Sequence, residues 1–138
     1  MSFLLDTNVI SEARKPSGDD GVKTWLAATP GPDLYLSVLV IGEVRRGIAR
    51  LRPRDSAQAA IYEAWLRLLH QAYADRLLPI TVEIAETWGT LNAAAPLPTI
   101  DGLLAATALV HGLTLVTRNT ADVARTGVRL LNPFSRPG

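Results

Sequence analysis

Short apolar runs along the chain predict the strands of a buried sheet. The first run, Phe3 to Leu5, leads without a turn into the polar triplet Asp6-Thr7-Asn8. An apolar run without polar alternation is typical of a strand in a parallel sheet that helices cover on both faces. Four further short runs follow the same pattern. The predicted strands span residues 3–5, 34–36, 77–78, 113–116 and 128–131.

Helix patterns separate these strands. Ser37 occupies a cap position for a helix through residue 51, and Asp55 with Gln58 three residues later resembles a capping box for a helix ending near residue 74. In the second of these helices, apolar residues recur at three- and four-residue spacing, which predicts one buried face. They are Ile61, Trp65, Leu68, Leu69 and Ala72. Further helices are predicted at residues 9–13, 22–28, 82–94 and 101–111, and a loop or short helix at 118–126.

The alternation of strands and helices predicts an α/β fold. We expect a three-layer sandwich whose central sheet is short-stranded, mainly parallel and flanked by helices. A length of 138 residues and an apolar content of 48% suit a single domain over residues 1–138. The segment 132–138 contains two prolines and a glycine, which predicts a mobile tail.

Composition excludes several classes of protein. The chain has no cysteine, which excludes disulfides and thiolate metal sites and suits a reducing cytoplasm. The longest apolar runs, such as residues 38–41, fall far short of the roughly 20 residues that span a bilayer. Charged residues interrupt the N-terminus before a secretory signal could form. The sequence therefore predicts a soluble cytoplasmic protein without membrane contact.

An arginine-rich segment is the most basic part of the chain. The net charge is only +1, which by itself does not indicate a nucleic-acid partner. Five arginines nevertheless fall within ten residues, and such a patch can hold phosphates. They are Arg45, Arg46, Arg50, Arg52 and Arg54. Arginines on an exposed helix face are also common without any ligand.

Four acidic residues lie where predicted parallel strands end or where the next helix begins. Ligands bind in the crevice outside the carboxyl ends of such strands, so these positions can converge. The four acids are Asp6, Glu43, Asp101 and Asp122. The last of them, taken alone, is an ordinary solvated loop residue.

The other three acids also have structural interpretations. Asp6 or Asn8 can cap the helix that follows the first strand, because both residue types are favoured at helix starts. Asp101 can cap the apolar helix that it begins, where the helix dipole favours a negative charge. Glu43 can pair with Arg46 three residues later on the same helix. None of these acids alone indicates a catalytic site.

Together, the four acids suggest a metal site. Clustered carboxylates repel one another and raise each other's pKa unless a cation neutralises them. Oxygen ligands without cysteine or histidine suit Mg²⁺ or Mn²⁺, and such ions support hydrolysis of phosphodiesters. Asp6 and Asp101 are the first candidates for metal ligands, and Glu43 and Asp122 are further ones. Polar residues that could support the carboxylates or bound waters are Thr7, Asn8, Thr117 and Asn119.

Four stretches of the chain carry a family resemblance. They are residues 4–12, 37–47, 101–108 and 117–119, the last with Asp122 close behind. Together they resemble a PIN-domain ribonuclease toxin of the VapC type, and the similarity extends over residues 3–134 with all four acids in order. The resemblance implies an endoribonuclease that depends on Mg²⁺ or Mn²⁺. By this resemblance, the four acids match the acidic positions of the family, and Thr7 and Asn119 match the polar positions that support them.

The resemblance also implies partners. It predicts a homodimer, a small VapB-type antitoxin that inserts into the active-site groove, and cleavage of structured RNA such as tRNA or rRNA. Arg46 and Arg50 are the candidate contacts to RNA or to the antitoxin. Two positions depart from the family pattern, because Val40 replaces a common threonine and Val123 replaces the usual aromatic residue after the last acid. The second change could loosen Asp122.

Two other functions remain open from the sequence. One is a PIN-like module that has the same fold and binds RNA but does not cleave it. A metal-dependent phosphatase of the haloacid-dehalogenase type also begins with a strand that ends in aspartate. That enzyme class normally has a second aspartate where this chain has Asn8, and it uses a late lysine, whereas the last lysine here is Lys23.

Overall fold

The computed structural model describes residues 1–135, and a five-stranded sheet lies at its centre with the order β3-β2-β1-β4-β5. Every pairing in this sheet is parallel. Leu4 of the central strand lies opposite Tyr35 on one side and Leu115 on the other. The strands are β1 (Phe3–Leu5), β2 (Leu34–Ser37), β3 (Leu77–Leu78), β4 (Thr114–Val116) and β5 (Leu130–Leu131). The predicted short-stranded parallel sheet is confirmed.

Helices cover both faces of the sheet. They are α1 (Thr7–Arg14), α2 (Asp20–Ala28), α3 (Val38–Leu51), α4 (Ser56–Ala72), α5 (Val82–Ala94), α6 (Thr99–His111) and α7 (Thr120–Val123). The chain steps from β1 to β3 in one direction and then returns past β1 to β4 and β5. Because crossovers between parallel strands are right-handed, helices α1 to α4 fall on one face and α5 and α6 on the other. Helix contacts agree, since α3 packs on α1 and α4 while α5 packs on α6. The three-layer α/β prediction is confirmed.

Local signals explain where the long helices of the first layer begin. The Ser37 hydroxyl accepts a hydrogen bond from the Leu39 N–H at 3.0 Å, so β2 leads directly into α3. Asp55 accepts from the Gln58 N–H at 3.0 Å and begins α4, as the capping-box pattern predicts. At Ser37 the end of a strand and the start of a helix therefore coincide.

The predicted buried face of α4 is partly wrong. Leu69 is buried, but Ile61 and Leu68 are 59% and 62% exposed. The buried stripe consists of Ala59, Leu66 and Leu69. This helix is apolar on more than one side, so spacing alone does not select the side that meets α3. Ala72, which also belonged to the predicted face, is exposed, and Trp65 is half-buried.

The segment after β5 contacts the second helix. The Ser135 N–H and hydroxyl donate to the two carboxylate oxygens of the buried Asp19, at 2.9 and 3.0 Å. The Arg118 guanidinium lies 4.1 Å from the centre of the Phe134 ring. These contacts hold residues as far as 135. The predicted mobility of the tail stays a prediction, and residues 136–138 lie outside the described part of the chain.

Within residues 1–135, no helix has the length and apolar character needed to cross a membrane.

Candidate functional site

Asp6 lies at the carboxyl end of the central strand, where the order of the chain through the sheet reverses. Its backbone N–H donates to the Val116 carbonyl of β4 at 2.9 Å, which fixes its position beside the neighbouring strand. One carboxylate oxygen accepts from the Thr7 N–H at 2.7 Å, and the other accepts from the Thr117 hydroxyl at 2.7 Å. The residue is only 8% exposed. Such a switch point is the usual ligand site of a parallel sheet.

Helix capping and a place in the acid cluster are not alternatives for Asp6. It is the N-cap residue of α1, so the capping interpretation is right for this residue. Asn8 lies inside the first turn of α1 and is not the cap. Its amide donates to Asp6 at 3.3 Å and to the Thr117 hydroxyl at 3.4 Å. Asn8 therefore supports the aspartate from the side that faces β4.

Glu43 joins the cluster from α3. The Thr7 hydroxyl donates to one of its oxygens at 2.5 Å, which links the start of α1 to the second turn of α3. The other oxygen lies 4.0 Å from an Arg46 guanidinium nitrogen, the pair that helix spacing suggested. Since Arg46 is largely exposed, this ion pair adds little stability. The hydrogen bond to Thr7 is the contact that orients Glu43 toward Asp6.

Asp101 approaches from the opposite helical layer. Pro98 occupies the N-cap position of α6 without any side-chain capping bond, so the capping interpretation is wrong for Asp101. Its carboxylate instead accepts a hydrogen bond from the Asn119 amide at 3.3 Å. The Asn119 N–H in turn donates to the Thr117 hydroxyl at 3.1 Å. Thr117 thus connects the residues that hold Asp6 with those that hold Asp101.

Charge interactions link Asp6, Glu43 and Asp101 to one another, and Asp122 to Asp101. Burial raises the pKa of Asp6, and the charges of Asp101 and Glu43 raise it further, while hydrogen bonds from Thr117 and Thr7 oppose the shift. Burial also raises the pKa of Asp101, the Asn119 hydrogen bond opposes it, and the charges of Glu43 and Asp122 add to it. Asp122 itself is exposed in α7. Ionisation therefore costs more for the buried Asp6 and the half-buried Asp101 than for the same groups in water.

The donor chemistry of the cluster suits a hard divalent cation. All nearby ligand atoms are carboxylate, hydroxyl or amide oxygens, which Mg²⁺ and Mn²⁺ prefer. In the part of the chain that the structure describes, no three acidic or histidine side chains lie close enough together to share one ion. The side chains would have to draw together around a bound cation. Burial raises the pKa of Asp6 and Asp101 most and the neighbouring carboxylates add to the shift, and a bound cation would favour the charged form of both groups.

A cavity of about 190 Å³ lies between α1, α3 and α4 and adjoins the acid cluster. It was not among the features predicted from the sequence. Its walls include Thr7, Arg14, Glu43, Gly47, Tyr62 and Trp65. The side of α1 that faces it could have been found, because Thr7 and Arg14 are seven residues apart on one helix face. The aromatic residues of α4 could not, since periodicity does not show which side of α4 meets α3.

The arginine run of α3 divides into two groups. Arg45 makes two hydrogen bonds of 2.6 Å to the Glu63 carboxylate, and Arg52 makes one of 3.1 Å to the same group. Arg46 is near Glu43, and Arg50 and Arg54 are exposed. The basic patch available to a partner is therefore smaller than the five residues suggest. Arg46 and Arg50 stay predicted contacts.

Comparison with known proteins identifies the family. Residues 3–128 match the family model described as PIN domain. The chain belongs to the PIN domain family. This PIN domain is 32% identical over 137 residues to the VapC ribonuclease Y4jK of Sinorhizobium fredii, covering 96% of this chain and 97% of the relative. The family resemblance inferred from the sequence is thereby confirmed.

Solved structures agree with the PIN-domain assignment. The crystal structure of FitAcB from Neisseria gonorrhoeae superposes with a TM-score of 0.88 at 32% identity, covering 95% of this chain and 97% of that one. A toxin-antitoxin complex from Klebsiella pneumoniae superposes with a TM-score of 0.75 at 29% identity, covering 98% of this chain and all of the matched chain. The similarity spans nearly the whole length of the PIN-domain chain in both cases.

Proposed function

We propose that the protein is a metal-dependent endoribonuclease toxin of the VapC type. It acts in the cytoplasm, hydrolyses phosphodiester bonds in structured RNA such as tRNA or rRNA, and is neutralised by a VapB-type antitoxin. The observation that carries this proposal is the hydrogen-bond network at the end of β1, in which Thr7 links the start of α1 to Glu43 and Thr117 links Asp6 to the Asn119 that holds Asp101. Membership of the PIN domain family and the similarity to a VapC ribonuclease support it.

Each residue of the cluster has a distinct role in this proposal. Asp6 and Asp101 would hold Mg²⁺ or Mn²⁺, with Glu43 and Asp122 at the edge of the same site. When bound, the cation supplies a water of lowered pKa and neutralises charge on the phosphodiester. The Thr117 hydroxyl donates a hydrogen bond to the Asp6 carboxylate at 2.7 Å, and the Asn119 amide donates one to the Asp101 carboxylate at 3.3 Å. These neutral donors orient both carboxylates without competing for a metal ion.

The phosphatase alternative has less support in the contacts around Asp6. A haloacid-dehalogenase phosphatase would need an acid at position 8 to protonate the leaving group. Asn8 instead donates its amide hydrogen to Asp6 at 3.3 Å and to the Thr117 hydroxyl at 3.4 Å. An amide that holds the aspartate cannot serve as a general acid. The inactive binding module differs from the nuclease only in activity, so a cleavage assay separates the two.

The partner proposals extend the same reasoning. A VapB-type antitoxin is supported by the structural similarity to a chain of a toxin-antitoxin complex. Arg46 and Arg50 are the residues we propose to contact RNA or antitoxin, because both are exposed on α3 and Arg46 lies 4.0 Å from Glu43. The proposal that the protein forms a homodimer is based on the family resemblance alone. Light scattering on the purified chain measures the oligomeric state directly.

Replacing one acid tests the catalytic proposal. Purified protein with Mg²⁺ or Mn²⁺ should cleave one class of RNA, and EDTA should stop the reaction. Asp101→Asn should lower the cleavage rate by about 100-fold or more, the loss typical for a group that stabilises charge in the transition state. The matched control is Asp33→Asn, because Asp33 precedes β2 at the opposite edge of the sheet. Undiminished cleavage by Asp101→Asn would contradict the proposed mechanism.

A further inference from the structure

The cavity between α1, α3 and α4 borders the acid cluster and has mixed walls. Thr7 and Glu43, whose side chains are hydrogen-bonded to each other, form the wall nearest to Asp6. The buried side chains of Val44 and Ile48 form an apolar part of the lining. A group bound in this cavity would therefore lie next to Glu43 and close to Asp6, two of the proposed catalytic carboxylates.

A flat cationic and aromatic surface forms the far wall of the cavity. The Arg14 guanidinium lies 4.1 Å from the centre of the Tyr62 ring and 5.4 Å from the centre of the Trp65 ring. No carboxylate within residues 1–135 forms an ion pair with Arg14. Its positive charge contacts the two rings and is not neutralised by a carboxylate, so it can still attract an anionic group.

We propose that this cavity binds one unpaired base of the RNA substrate beside the cleaved phosphodiester, an inference that rests on the proposed ribonuclease function. Unpaired RNA bases stack on aromatic rings and on arginine guanidinium planes, and the cavity is lined by both kinds of group, with Arg14 packed over Tyr62 and near Trp65. The charge of Arg14 also suits the polyanionic chain to which a base is attached. Because Glu43 lines the cavity, a base held here lies beside the proposed metal site.

A base fits these walls better than an apolar side chain of a protein partner does. An apolar group would cover the charged Arg14 and the hydroxyl of Ser11 without offering a hydrogen bond to either, and burying unsatisfied polar groups is costly. A base has flat faces for stacking and polar edges for hydrogen bonds. The walls therefore match both parts of a nucleobase.

Gly47 allows the cavity to be filled without altering its polar walls. It lines the cavity, and a Cβ added to it would meet no atom within 4 Å. Gly47→Leu therefore adds a bulky side chain at the wall of the cavity without a clash at its Cβ, and leucine is a better helix former than glycine. Gly89→Leu is the matched control, because Gly89 is exposed in the middle of α5 and also has open space around it.

Binding of a fluorescent RNA tests the base site without relying on cleavage. Both glycine variants are made in an Asp101→Asn background, and the probe is a short oligouridine with one central 2-aminopurine. Stacking in the cavity should quench the fluorescence of the probe. Gly47→Leu should abolish the quenching and weaken binding by roughly 5- to 150-fold, the loss expected for one stacked base. Gly89→Leu should change neither.

The outcomes separate the base site from the nuclease proposal. Equal quenching and affinity in Gly47→Leu would overturn the base site even if the unmodified protein cleaves RNA. Quenching that depends on Gly47, in a protein that cleaves no RNA with Mg²⁺ or Mn²⁺, would support the base site and reject the nuclease. Absence of binding and quenching with the oligouridine probe would overturn the base site, while cleavage of structured RNA by the unmodified protein would still support the nuclease. Unchanged RNA binding with weakened binding of an antitoxin-type protein would assign the cavity to a protein partner and overturn the proposal.

Discussion

Gly102 gives a quantitative test of how α6 is positioned beside Trp88 of α5. An added Cβ at Gly102 would lie 2.9 Å from Cδ1 and 3.0 Å from Nε1 of the Trp88 indole. Carbon atoms in comfortable contact are about 3.5–4.0 Å apart, so Gly102→Ala requires a movement of about 0.5–1 Å. Gly102 follows Asp101 directly, so this movement occurs in the turn that carries a proposed metal ligand.

Two opposing effects set the expected change in stability. Overpacking a tight contact costs about 1–3 kcal/mol. Replacing a helical glycine by alanine returns about 1 kcal/mol. Gly89→Ala in α5 receives only the second effect, because no atom lies within 4 Å of its added Cβ. We therefore expect Gly102→Ala to be less stable than Gly89→Ala by about 1–3 kcal/mol, with the helix-propensity gain cancelling in the comparison.

Urea unfolding of the two variants measures this difference. Trp88→Leu removes the indole, so in that background Gly102→Ala should lower the free energy of unfolding by less. The resulting non-additivity in a double-mutant cycle would identify the indole as the cause of the destabilisation. If the reasoning about Asp101 is also right, Gly102→Ala should lower RNA cleavage by up to about 100-fold, the effect of a 1 Å misplacement. Equal stability of Gly102→Ala and Gly89→Ala would refute the argument.

Two further predictions concern stability alone. Thr117→Val removes the hydroxyl that donates to Asp6 at 2.7 Å, so urea unfolding should show a free energy of unfolding lower by about 1–3 kcal/mol. Thr107→Val is the control and should lower it less, because the Thr107 hydroxyl donates only to the Leu103 carbonyl of its own helix. A similar loss in both valine variants would argue against a special role for Thr117. Leu66→Ala should cost about 2–5 kcal/mol and Leu68→Ala less than about 0.5 kcal/mol, because their exposures are 1% and 62%. Equal losses would show that the exposed side of α4 is covered in solution.

The strand ends were predictable from sequence because local signals coincide there. Phe3 to Leu5 are apolar and Asp6 is polar, and Ser37 marks both the end of β2 and the start of α3. A buried strand that ends in a polar residue has few alternative structures. The positions of Asp6 and Glu43 at one edge of the sheet follow from this pattern together with parallel pairing.

The contacts between elements could not be predicted in the same way. Spacing within α4 was compatible with several buried faces, so the exposed positions of Ile61 and Leu68 and the cavity wall at Tyr62 were missed. The pairing of Arg45 with Glu63 joins α3 to α4 and likewise depends on how two helices meet. Periodicity describes one helix at a time, whereas these features belong to pairs of helices.

Two of the clustered acids lie at helix N-termini, and this explains how the fold tolerates them. Asp6 is the N-cap of α1, and Asp101 lies in the first turn of α6. A negative charge in either place gains about 0.3–1 kcal/mol from the helix dipole. Burial and repulsion still raise the pKa of both residues, so the dipoles only partly offset the cost of the charges. An amide at either position keeps a hydrogen-bond acceptor and removes the repulsion. Asp6→Asn and Asp101→Asn should therefore fold, and a loss of cleavage in these variants would report on the chemistry of the site.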